Sequence, residues 1–332
     1  MNNMVEEILV QSLFNEFLDT AESRLNVVKL AGDASTRKYY RVSTSSKSFV
    51  CCLDNPTSKP SDFEEVTNFL NKYKIPAPKI FHSDYKKGFL VQEDLGNDML
   101  VNYLSKDYDE EKIIVWYKKA IDIILSFQKI NISDAPEFVQ KRMFDQNKYL
   151  FEFNLTNTYF IEKYLNYKMT ESKSKQLSLC QLNIIENIIG NPFVITHRDF
   201  HSRNLMIKNN SLRVIDYQDL MLGTIFYDLV SLLEDTYFPL KENVKNSLIK
   251  YFIKNLDSNY SDQEFEKLYD YNSIQRIYKA LGSFTFIYNS RGDDRYLKYI
   301  GIGVDKLVTK LEKYSDLSSF LSLILSAYNE NR

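Results

Sequence analysis

The sequence predicts an α+β fold with two lobes, a small antiparallel β lobe at the N-terminus and a large, mostly helical lobe after it. Short strand-like runs rich in Val, Tyr, Phe and Cys cluster in the first 95 residues. Helical spacing of apolar residues dominates from residue 96 onward, and only 9 Gly and 7 Pro interrupt the 332 residues. We therefore predict an N-terminal lobe at 1–95 and a C-terminal lobe at 96–332.

The predicted N-terminal lobe begins with an amphipathic helix and continues as a β-meander. Apolar residues recur at helical spacing within 4–19. Three runs that favour strands follow at 26–30, 38–43 and 48–53, and polar turns separate them. Consecutive strands joined by short turns are expected to pair antiparallel.

A second helix and two more strands complete this lobe. Ser61 followed by Glu64 predicts a helix N-terminus, and the apolar spacing after it continues to about residue 73. Strands are predicted at 79–83 and 89–93, with a polar turn between them. The result is an antiparallel sheet of about five strands with one helix.

The predicted C-terminal lobe is helical, with one exception. Apolar residues within 113–127 fall on one face of a long helix, and helical periodicity continues to the end of the chain. Between them, strand-like runs at 193–195 and 212–215 flank a polar segment. We expect the chemistry of the protein to lie in that segment.

Composition excludes several classes of function. Lys and Arg total 42 and Asp and Glu total 44, so the formal net charge of -2 gives no long-range attraction for nucleic acid or an anionic membrane. The first residues are acidic where a signal peptide is basic, and no apolar run approaches the ~20 residues that cross a bilayer. Three cysteines cannot form an even-numbered disulfide framework. We expect a cytoplasmic protein without nucleic-acid or membrane partners.

The polar segment carries a catalytic-loop pattern. Residues 197–204 read His-Arg-Asp-Phe-His-Ser-Arg-Asn and match H-R-D-x-x-x-x-N at every fixed position, and Val-Ile-Asp follows at 214–216. In this pattern Asp199 orients an acceptor hydroxyl and accepts its proton, whereas Asn204 and Asp216 hold Mg²⁺ on the phosphates of ATP. A single Asp or Asn in a loop is usually a turn former or a cap. The joint spacing therefore predicts a protein-kinase-like fold with a phosphoryl-transfer site.

The acceptor is expected to be a small molecule. The segment from Asp216 to Asp228 is too short for the activation segment with which a protein kinase binds a polypeptide, and no Ala-Pro-Glu follows it. A small acceptor would bind in the helical lobe. The candidate acceptor-contacting residues are His201, Arg203 and Asp219.

Two other polar residues are expected to support the loop. His197 is predicted to pack against its surroundings, because Asp199 already fills the role of the base. Asp228 precedes an apolar helical run, so it is either the N-cap of that helix or a brace for the catalytic loop.

The nucleotide is expected to bind in the N-terminal lobe. Residues 30–36 join two predicted strands with small side chains, so that backbone N–H groups can approach phosphates, and Gly32, Asp33 and Ser35 are the candidates. Residues 92–96 are predicted to be the hinge between the lobes. Its backbone, at Glu93 and Leu95, can pair with adenine.

The third predicted strand departs from the usual kinase pattern. Residues 48–54 contain no Lys, although kinases place one there to hold the α- and β-phosphates. The nearest basic residues that could replace it are Arg37, Lys38 and Arg41, and Arg41 is a candidate nucleotide-binding residue.

Further segments extend the pattern over nearly the whole chain. They are residues 32–41, 93–96, 197–206, 214–219, 227–233, 281–284 and 296–297. Together they resemble the aminoglycoside phosphotransferase-like (APH) kinases, and among these the bacterial N-acetylmuramate/N-acetylglucosamine kinases of peptidoglycan recycling.

The resemblance implies transfer of the ATP γ-phosphoryl group to the anomeric hydroxyl of an N-acetylated amino sugar, with Asp199 as the base and with Asn204 and Asp216 as Mg²⁺ ligands. These kinases also lack the strand lysine. They carry a Met-Asp-Ala-Pro-like run where this chain has Leu-Asp-Asn-Pro at 53–56.

Two other functions compete with this prediction. A kinase of the same fold for an aminoglycoside, choline or another amino alcohol would bind a cationic acceptor in an acidic pocket, and nothing in the sequence indicates such a pocket. An inactive scaffold that binds a nucleotide or a partner would explain the missing lysine, but the complete set of Asp199, Asn204 and Asp216 opposes it. The sequence leaves the preferred sugar and the oligomeric state open.

Overall fold

The structure is a computed structural model, and it describes residues 3–18, 25–30, 37–257 and 260–330. By its internal contacts the chain falls into two units. The first unit consists of Met1–Leu100 and Asn204–Gln218, and the second of Val101–Arg203 and Asp219–Arg332. This division places a segment from the middle of the chain in the first unit. The predicted division into 1–95 and 96–332 has no such segment, and it stays a prediction.

The first unit contains the predicted five-stranded antiparallel sheet. Its spatial order is β1-β2-β3-β5-β4, so the predicted meander is followed by a hairpin whose second strand pairs with β3. The strands are β1 (Asn26–Lys29), β2 (Lys38–Ser43), β3 (Ser48–Leu53), β4 (Ile80–Asp84) and β5 (Phe89–Glu93).

Helix α1 (Asn3–Leu18) covers one face of this sheet. Val10 and Phe14 of the helix are fully buried and belong to one apolar cluster with Tyr40 and Cys51. Burial of a Phe side chain contributes about 1.5–3 kcal/mol, so this contact stabilises the helix on the sheet. Because side chains alternate along a strand, the neighbours of Tyr40 in β2 point to the opposite face.

Helix α2 (Asp62–Lys72) begins where the sequence predicts. The Ser61 side chain accepts a hydrogen bond from the Glu64 amide at 3.4 Å, which satisfies one of the N–H groups that a helix start leaves unpaired. The helix ends before Lys74, whose φ of 58° leaves the helical region, and Pro76 follows.

The second unit is dominated by helices. A π-helical stretch, Asn157–Tyr164, continues α6, and a two-stranded antiparallel sheet of β6 (Phe193–Thr196) and β9 (Met221–Thr224) interrupts the helical order. The helices that lie wholly or mostly in this unit are α3 (Leu100–Ser105), α4 (Glu110–Gln128), α5 (Glu137–Lys141), α6 (Gln146–Thr156), α7 (Glu171–Ile189), α8 (Tyr227–Leu233), α9 (Glu242–Asn255), α10 (Asp262–Arg291), α11 (Ile300–Leu311) and α12 (Ser318–Asn329).

Helix α10 is the centre of the second unit. A capping box between Ser261 and Glu264 begins the helix, and Gly292 ends it with a φ of 67°, a conformation that favours glycine. Most of its residues from Tyr269 to Thr285 are buried, polar ones included. Buried polar groups need partners, so the polar residues of α10 are positioned by their contacts.

A second hairpin, β7 (Leu205–Lys208) and β8 (Ser211–Val214), belongs to the first unit. Asn209 and Asn210 join the strands with φ values of 50° and 57°, which a two-residue type I′ turn requires. The sequence predicted a strand at 212–215 but not β7 or β9. The α+β class with a small antiparallel β part and a mostly helical part is confirmed.

Candidate active site

The catalytic loop follows β6 through a sharp turn of the backbone. The Thr196 hydroxyl donates to the Met221 carbonyl at 2.8 Å and fixes the end of β6 on β9. Arg198 then has a φ of 81°, which non-glycine residues rarely adopt and which structures maintain at functional sites. The turn directs the chain away from the strand immediately before Asp199.

Asp228 holds this turn in place. Its carboxylate accepts the backbone N–H of His197 at 2.7 Å and that of Arg198 at 3.0 Å. Phe226, not Asp228, occupies the N-cap position of α8, so of the two roles considered the contacts are those of a brace. Burial raises the pKa of the Asp228 carboxyl to about 7, although the two N–H bonds oppose that rise.

His197 is packed, as expected. It is 1% exposed, and its ring lies edge-on to Phe127 and Phe200 with centroid distances of 6.4 and 5.5 Å. Such contacts fix the ring and leave it no access to an acceptor.

Two cations of α10 contact the candidate base. Oδ1 of Asp199 lies 3.1 Å from Nη2 of Arg276 and 3.3 Å from Nζ of Lys279, while the Asp199 side chain keeps 31% exposure. Burial alone would raise the pKa of Asp199, but the charges of Lys279 and Arg276 outweigh it and hold the pKa well below its usual range. Asp199 is therefore ionised near pH 7.

Sequence reasoning missed this pair of cations. They follow Asp199 by 77 and 80 residues, and only the folding of α10 brings them to the loop. The one available signal is their i, i+3 spacing within a helix that is otherwise apolar or neutral on that side. Arg276 is held further by its Nε, which donates to the Ser231 hydroxyl of α8 at 2.9 Å.

A pocket in the second unit opens beside Asp199. His201, Arg276 and Lys279 line it together with residues of α8 and α10. Nδ1 of His201 is buried and makes no hydrogen bond within the described chain. Burial lowers the pKa of His201 to about 4, so the imidazole is neutral near pH 7.

Two carboxylates also line this pocket, but both are committed to other groups. Glu234 contacts three lysines within 3.5 Å and accepts from the Tyr269 hydroxyl at 2.9 Å. Burial would raise the pKa of Glu234, and the lysine charges instead lower it to about 2. The three lysines are Lys245, Lys306 and Lys310.

Asp235, the second of these carboxylates, anchors the loop. It accepts from the Ser202 amide at 3.0 Å and hydroxyl at 2.5 Å, and from the Tyr237 amide at 2.8 Å. Both carboxylates are thus engaged within the chain, and Arg276 and Lys279 are the cations that lie beside Asp199.

The other two candidate acceptor residues do not line this pocket, although Arg203 packs on Tyr237, which does. Arg203 stacks over aromatic rings, with its guanidinium carbon 4.8 Å from the Tyr237 centroid and 5.5 Å from that of Tyr296. Asp219 has a 58% exposed side chain, and its Oδ2 is 3.8 Å from Nη1 of Arg198. Contact of either residue with an acceptor stays a prediction.

The candidate metal ligands meet in the first unit. Nδ2 of Asn204 and Oδ2 of Asp216 are 3.5 Å apart, and the Ile215 amide donates to the Asn204 carbonyl at 3.0 Å. Gln218 donates to the other oxygen of Asp216 at 2.8 Å. Asp216 has a φ of 64°, a second strained residue in the pattern. Mg²⁺ accepts an amide oxygen and a carboxylate as ligands, so the pair fits the ion by residue type, with Oδ1 of Asn204 as the ligand atom and not the Nδ2 that faces Asp216.

Two basic side chains, Arg41 and Lys208, bind the segment that the sequence predicts to be the hinge. Arg41 donates through Nε and Nη2 to Asp94 at 2.7 and 2.9 Å, and Nη2 also reaches the Gly96 carbonyl at 2.9 Å. Lys208 binds the Glu93 carboxylate at 2.7 Å and the Asp94 carbonyl at 2.8 Å. Arg41 thus binds the segment that the sequence predicts to be the hinge.

The nucleotide contacts predicted for Arg41, Glu93 and Leu95 stay predictions. Leu95 is 7% exposed. The remaining candidates, Gly32, Asp33 and Ser35, lie outside the described residues.

No helix in the described parts of the chain is both long enough and apolar enough to span a membrane.

The chain is similar to curated proteins named N-acetylmuramate/N-acetylglucosamine kinase. The protein of Neisseria meningitidis serogroup B is 29% identical over 305 residues, which are 89% of this chain and 88% of the relative. That of Pseudomonas aeruginosa is 25% identical over 308 residues, 90% of this chain and 88% of the relative. The matches span both units.

Solved structures share the fold at lower identity. An ADP-bound aminoglycoside phosphotransferase superposes with a TM-score of 0.61 at 16% identity, covering 90% of this chain and 96% of the other. A choline kinase from Cryptosporidium parvum Iowa II gives a TM-score of 0.62 at 14% identity, covering 96% and 99%. At these identities the likeness concerns the fold alone.

The model of the APH phosphotransferase enzyme family matches residues 26–260, which include the sheet of the first unit and the whole catalytic-loop pattern. This chain therefore belongs to the APH family of phosphotransferases and is an enzyme that phosphorylates a hydroxyl acceptor.

Proposed function

We propose that this enzyme transfers the γ-phosphoryl group of ATP to the anomeric hydroxyl of an N-acetylated amino sugar, N-acetylmuramate or N-acetylglucosamine. The names of the relatives support this acceptor. The observation that carries the proposal is the cationic surrounding of Asp199, made by Arg276 and Lys279. It suits a neutral or acidic acceptor.

In the proposed reaction Asp199 hydrogen-bonds to the acceptor hydroxyl and accepts its proton as the oxygen attacks the γ-phosphorus. The bond from phosphorus to the bridging oxygen breaks, and ADP leaves with that oxygen. Arg276 and Lys279 keep Asp199 ionised and hold its carboxylate through Oδ1. A held carboxylate loses little entropy when the acceptor binds.

Asn204 and Asp216 would hold Mg²⁺. When bound, the ion neutralises charge on the phosphate oxygens. Gln218 orients the Asp216 carboxylate through its 2.8 Å hydrogen bond, which leaves the second oxygen directed toward Asn204. Orientation of a ligand by a neighbouring amide is how proteins tune metal sites.

A cationic acceptor is a poorer fit. An aminoglycoside or choline would bring positive charge to the side of Asp199 where Arg276 and Lys279 already lie, and like charges at this distance repel. The aromatic faces of Tyr237 and Tyr296, which could bind a quaternary ammonium group, carry the guanidinium of Arg203. Both observations favour the sugar.

The test is a coupled assay of ADP release with Mg²⁺ and ATP. The acceptors are N-acetylmuramate, N-acetylglucosamine, kanamycin and choline, and Asp199→Ala is assayed beside the wild type. We expect turnover on the amino sugars alone and its loss in the variant, and NMR of the product then identifies the phosphorylated hydroxyl. Turnover on kanamycin or choline would contradict the sugar assignment. Binding of ATP by folded protein without turnover would favour the inactive scaffold.

A further inference from the structure

The first unit lacks a basic residue on its third strand, yet phosphoryl-transfer enzymes of this architecture hold the α- and β-phosphates with one. Strand β3, Ser48–Leu53, contains none. Three basic residues at the start of β2 and within it could supply the charge. They are Arg37, Lys38 and Arg41.

The strand register separates Lys38 from the other two. Tyr40 pairs with Cys51, and both are buried against α1. Lys38 points to that same face, because side chains two residues apart share a face, and it forms an ion pair with Glu6 of α1. Lys38 is therefore directed away from the opposite face.

Arg37 and Arg41 lie on the opposite face, which also carries Cys52. Tyr39 pairs with Cys52, and both arginines are two residues from Tyr39. Arg41 is bound through three hydrogen bonds to Asp94 and the Gly96 carbonyl. Arg41 is thus engaged at residues 94–96, and Arg37 is the remaining basic residue of the three on this face, beside Asp54 at the end of β3.

Two contacts position Arg37. Its Nε donates to Asp54, the residue after β3, at 2.9 Å, and its guanidinium carbon is 5.3 Å from the centroid of the Phe63 ring on α2. Phe63 in turn stacks on Tyr217 with centroids 5.2 Å apart and planes within 16°. Tyr217 directly follows Asp216, so one stack connects Arg37 to the segment of the proposed metal ligand.

We propose that Arg37 binds the ATP phosphates in place of the strand lysine, an inference that rests on the proposed use of ATP. A guanidinium has five N–H donors in a planar fork, enough to keep the bond to Asp54 and to bind phosphate oxygens. The Arg37–Asp54 pair then corresponds to the Lys–Glu pair that orients the lysine in protein kinases. The Arg37 side chain is 18% exposed, which gives a ligand access to it.

The test compares binding of ATP, ADP, AMP and adenosine by calorimetry with Mg²⁺ present and no acceptor. The proteins are the wild type, Arg37→Gln and the control Lys47→Gln, which removes an exposed lysine from the β2–β3 turn. We expect Arg37→Gln to weaken ATP binding about 10-fold or more, because a hydrogen bond to a charged group contributes about 1.5–3 kcal/mol. Adenosine binding is expected to stay unchanged, and the control is expected to match the wild type.

A merely structural role for Arg37 gives a different result. If the residue only joins β2 to β3, then ATP and adenosine weaken in parallel or neither changes, and the proposal is wrong. Arg37→Lys covers the case in which Arg37→Gln does not fold, since it keeps the charge and loses the fork. We expect it to weaken ATP binding by a smaller factor and to leave adenosine binding unchanged, and parallel weakening of both would again overturn the proposal.

These outcomes separate the inference from the proposed function. Wild-type protein that binds no ATP would refute the use of ATP itself. If the wild type binds ATP and Arg37→Gln binds it equally tightly, only the role of Arg37 is refuted, whichever acceptor the enzyme uses.

Discussion

The two carboxylates of the catalytic-loop pattern lie in opposite electrostatic surroundings. Asp199, in the second unit, contacts the cations Arg276 and Lys279. Asp216, in the first unit, is hydrogen-bonded to the neutral amides of Asn204 and Gln218. The same kind of side chain, a carboxylate, thus lies among cations in one unit and among neutral amides in the other.

The difference teaches how one residue type serves two functions. A carboxylate whose charge is already compensated by fixed cations has little need of a metal ion, but it stays ionised and oriented to accept a proton. A carboxylate among amides keeps its charge for an incoming cation, while the amides fix its direction. The surroundings thus support the proposed roles, Asp199 for the acceptor and Asp216 for the metal.

The largest expected effect is that of Asp199→Asn. Loss of the proton acceptor should lower kcat by about 10²- to 10⁴-fold, the usual contribution of a general base. The Mg²⁺ concentration for half-maximal activity should stay the same, because in the proposed mechanism Asp199 does not bind the metal. Steady-state assays over a Mg²⁺ series measure both quantities, with the exposed Asp305→Asn as the control. A changed Mg²⁺ requirement would contradict the proposed separation of the roles of Asp199 and Asp216.

Asp216→Asn should have the complementary effect. Loss of the ligand charge should raise the half-activating Mg²⁺ concentration about 10-fold or more, since a contact with a charged group contributes about 1.5–3 kcal/mol. Activity should recover in part at high Mg²⁺, which the Asp199 variant cannot do. If the variant has a normal Mg²⁺ requirement and added Mg²⁺ does not restore its activity, the result would argue against Asp216 as a ligand.

Lys279→Met should alter the choice between acceptors. N-Acetylmuramate carries a carboxylate that N-acetylglucosamine lacks, so loss of a cation beside Asp199 should lower kcat/KM about 10-fold more for the acidic sugar. The ratio of the two kcat/KM values cancels any effect on Asp199 itself. Lys298→Met, at an exposed position, is the matched control. An unchanged ratio would show that Lys279 acts on Asp199 and does not interact with the carboxylate of the acceptor.

The smallest expected effect concerns pH. Cations hold the pKa of Asp199 low, so with N-acetylglucosamine as the acceptor wild-type kcat should lose no activity to protonation of Asp199 between pH 5 and 8. Removal of Lys279 takes away one of these charges and raises the pKa, so the acidic limb of the Lys279→Met profile should move to higher pH. pH–rate profiles of both proteins measure the shift, and a limb that moves to lower pH would contradict the assignment.

The sequence by itself determined the local parts of this protein. The capping residue Ser61 and the apolar periodicity around it predicted α2, and alternation of apolar residues predicted the strands of the five-stranded sheet. The spacing of Asp199, Asn204 and Asp216 predicted the chemistry, because these residue types at this spacing form a known catalytic-loop pattern.

Only the tertiary structure decided the surroundings of these residues. Arg276 and Lys279 reach Asp199 through the packing of α10, and no spacing in the chain specifies which face of a helix meets a loop 77 residues earlier. The choice of Arg37 over Lys38 likewise depends on strand register, which decides the face that each side chain occupies. Periodicity determines local structure, whereas charge compensation depends on distances that only packing sets.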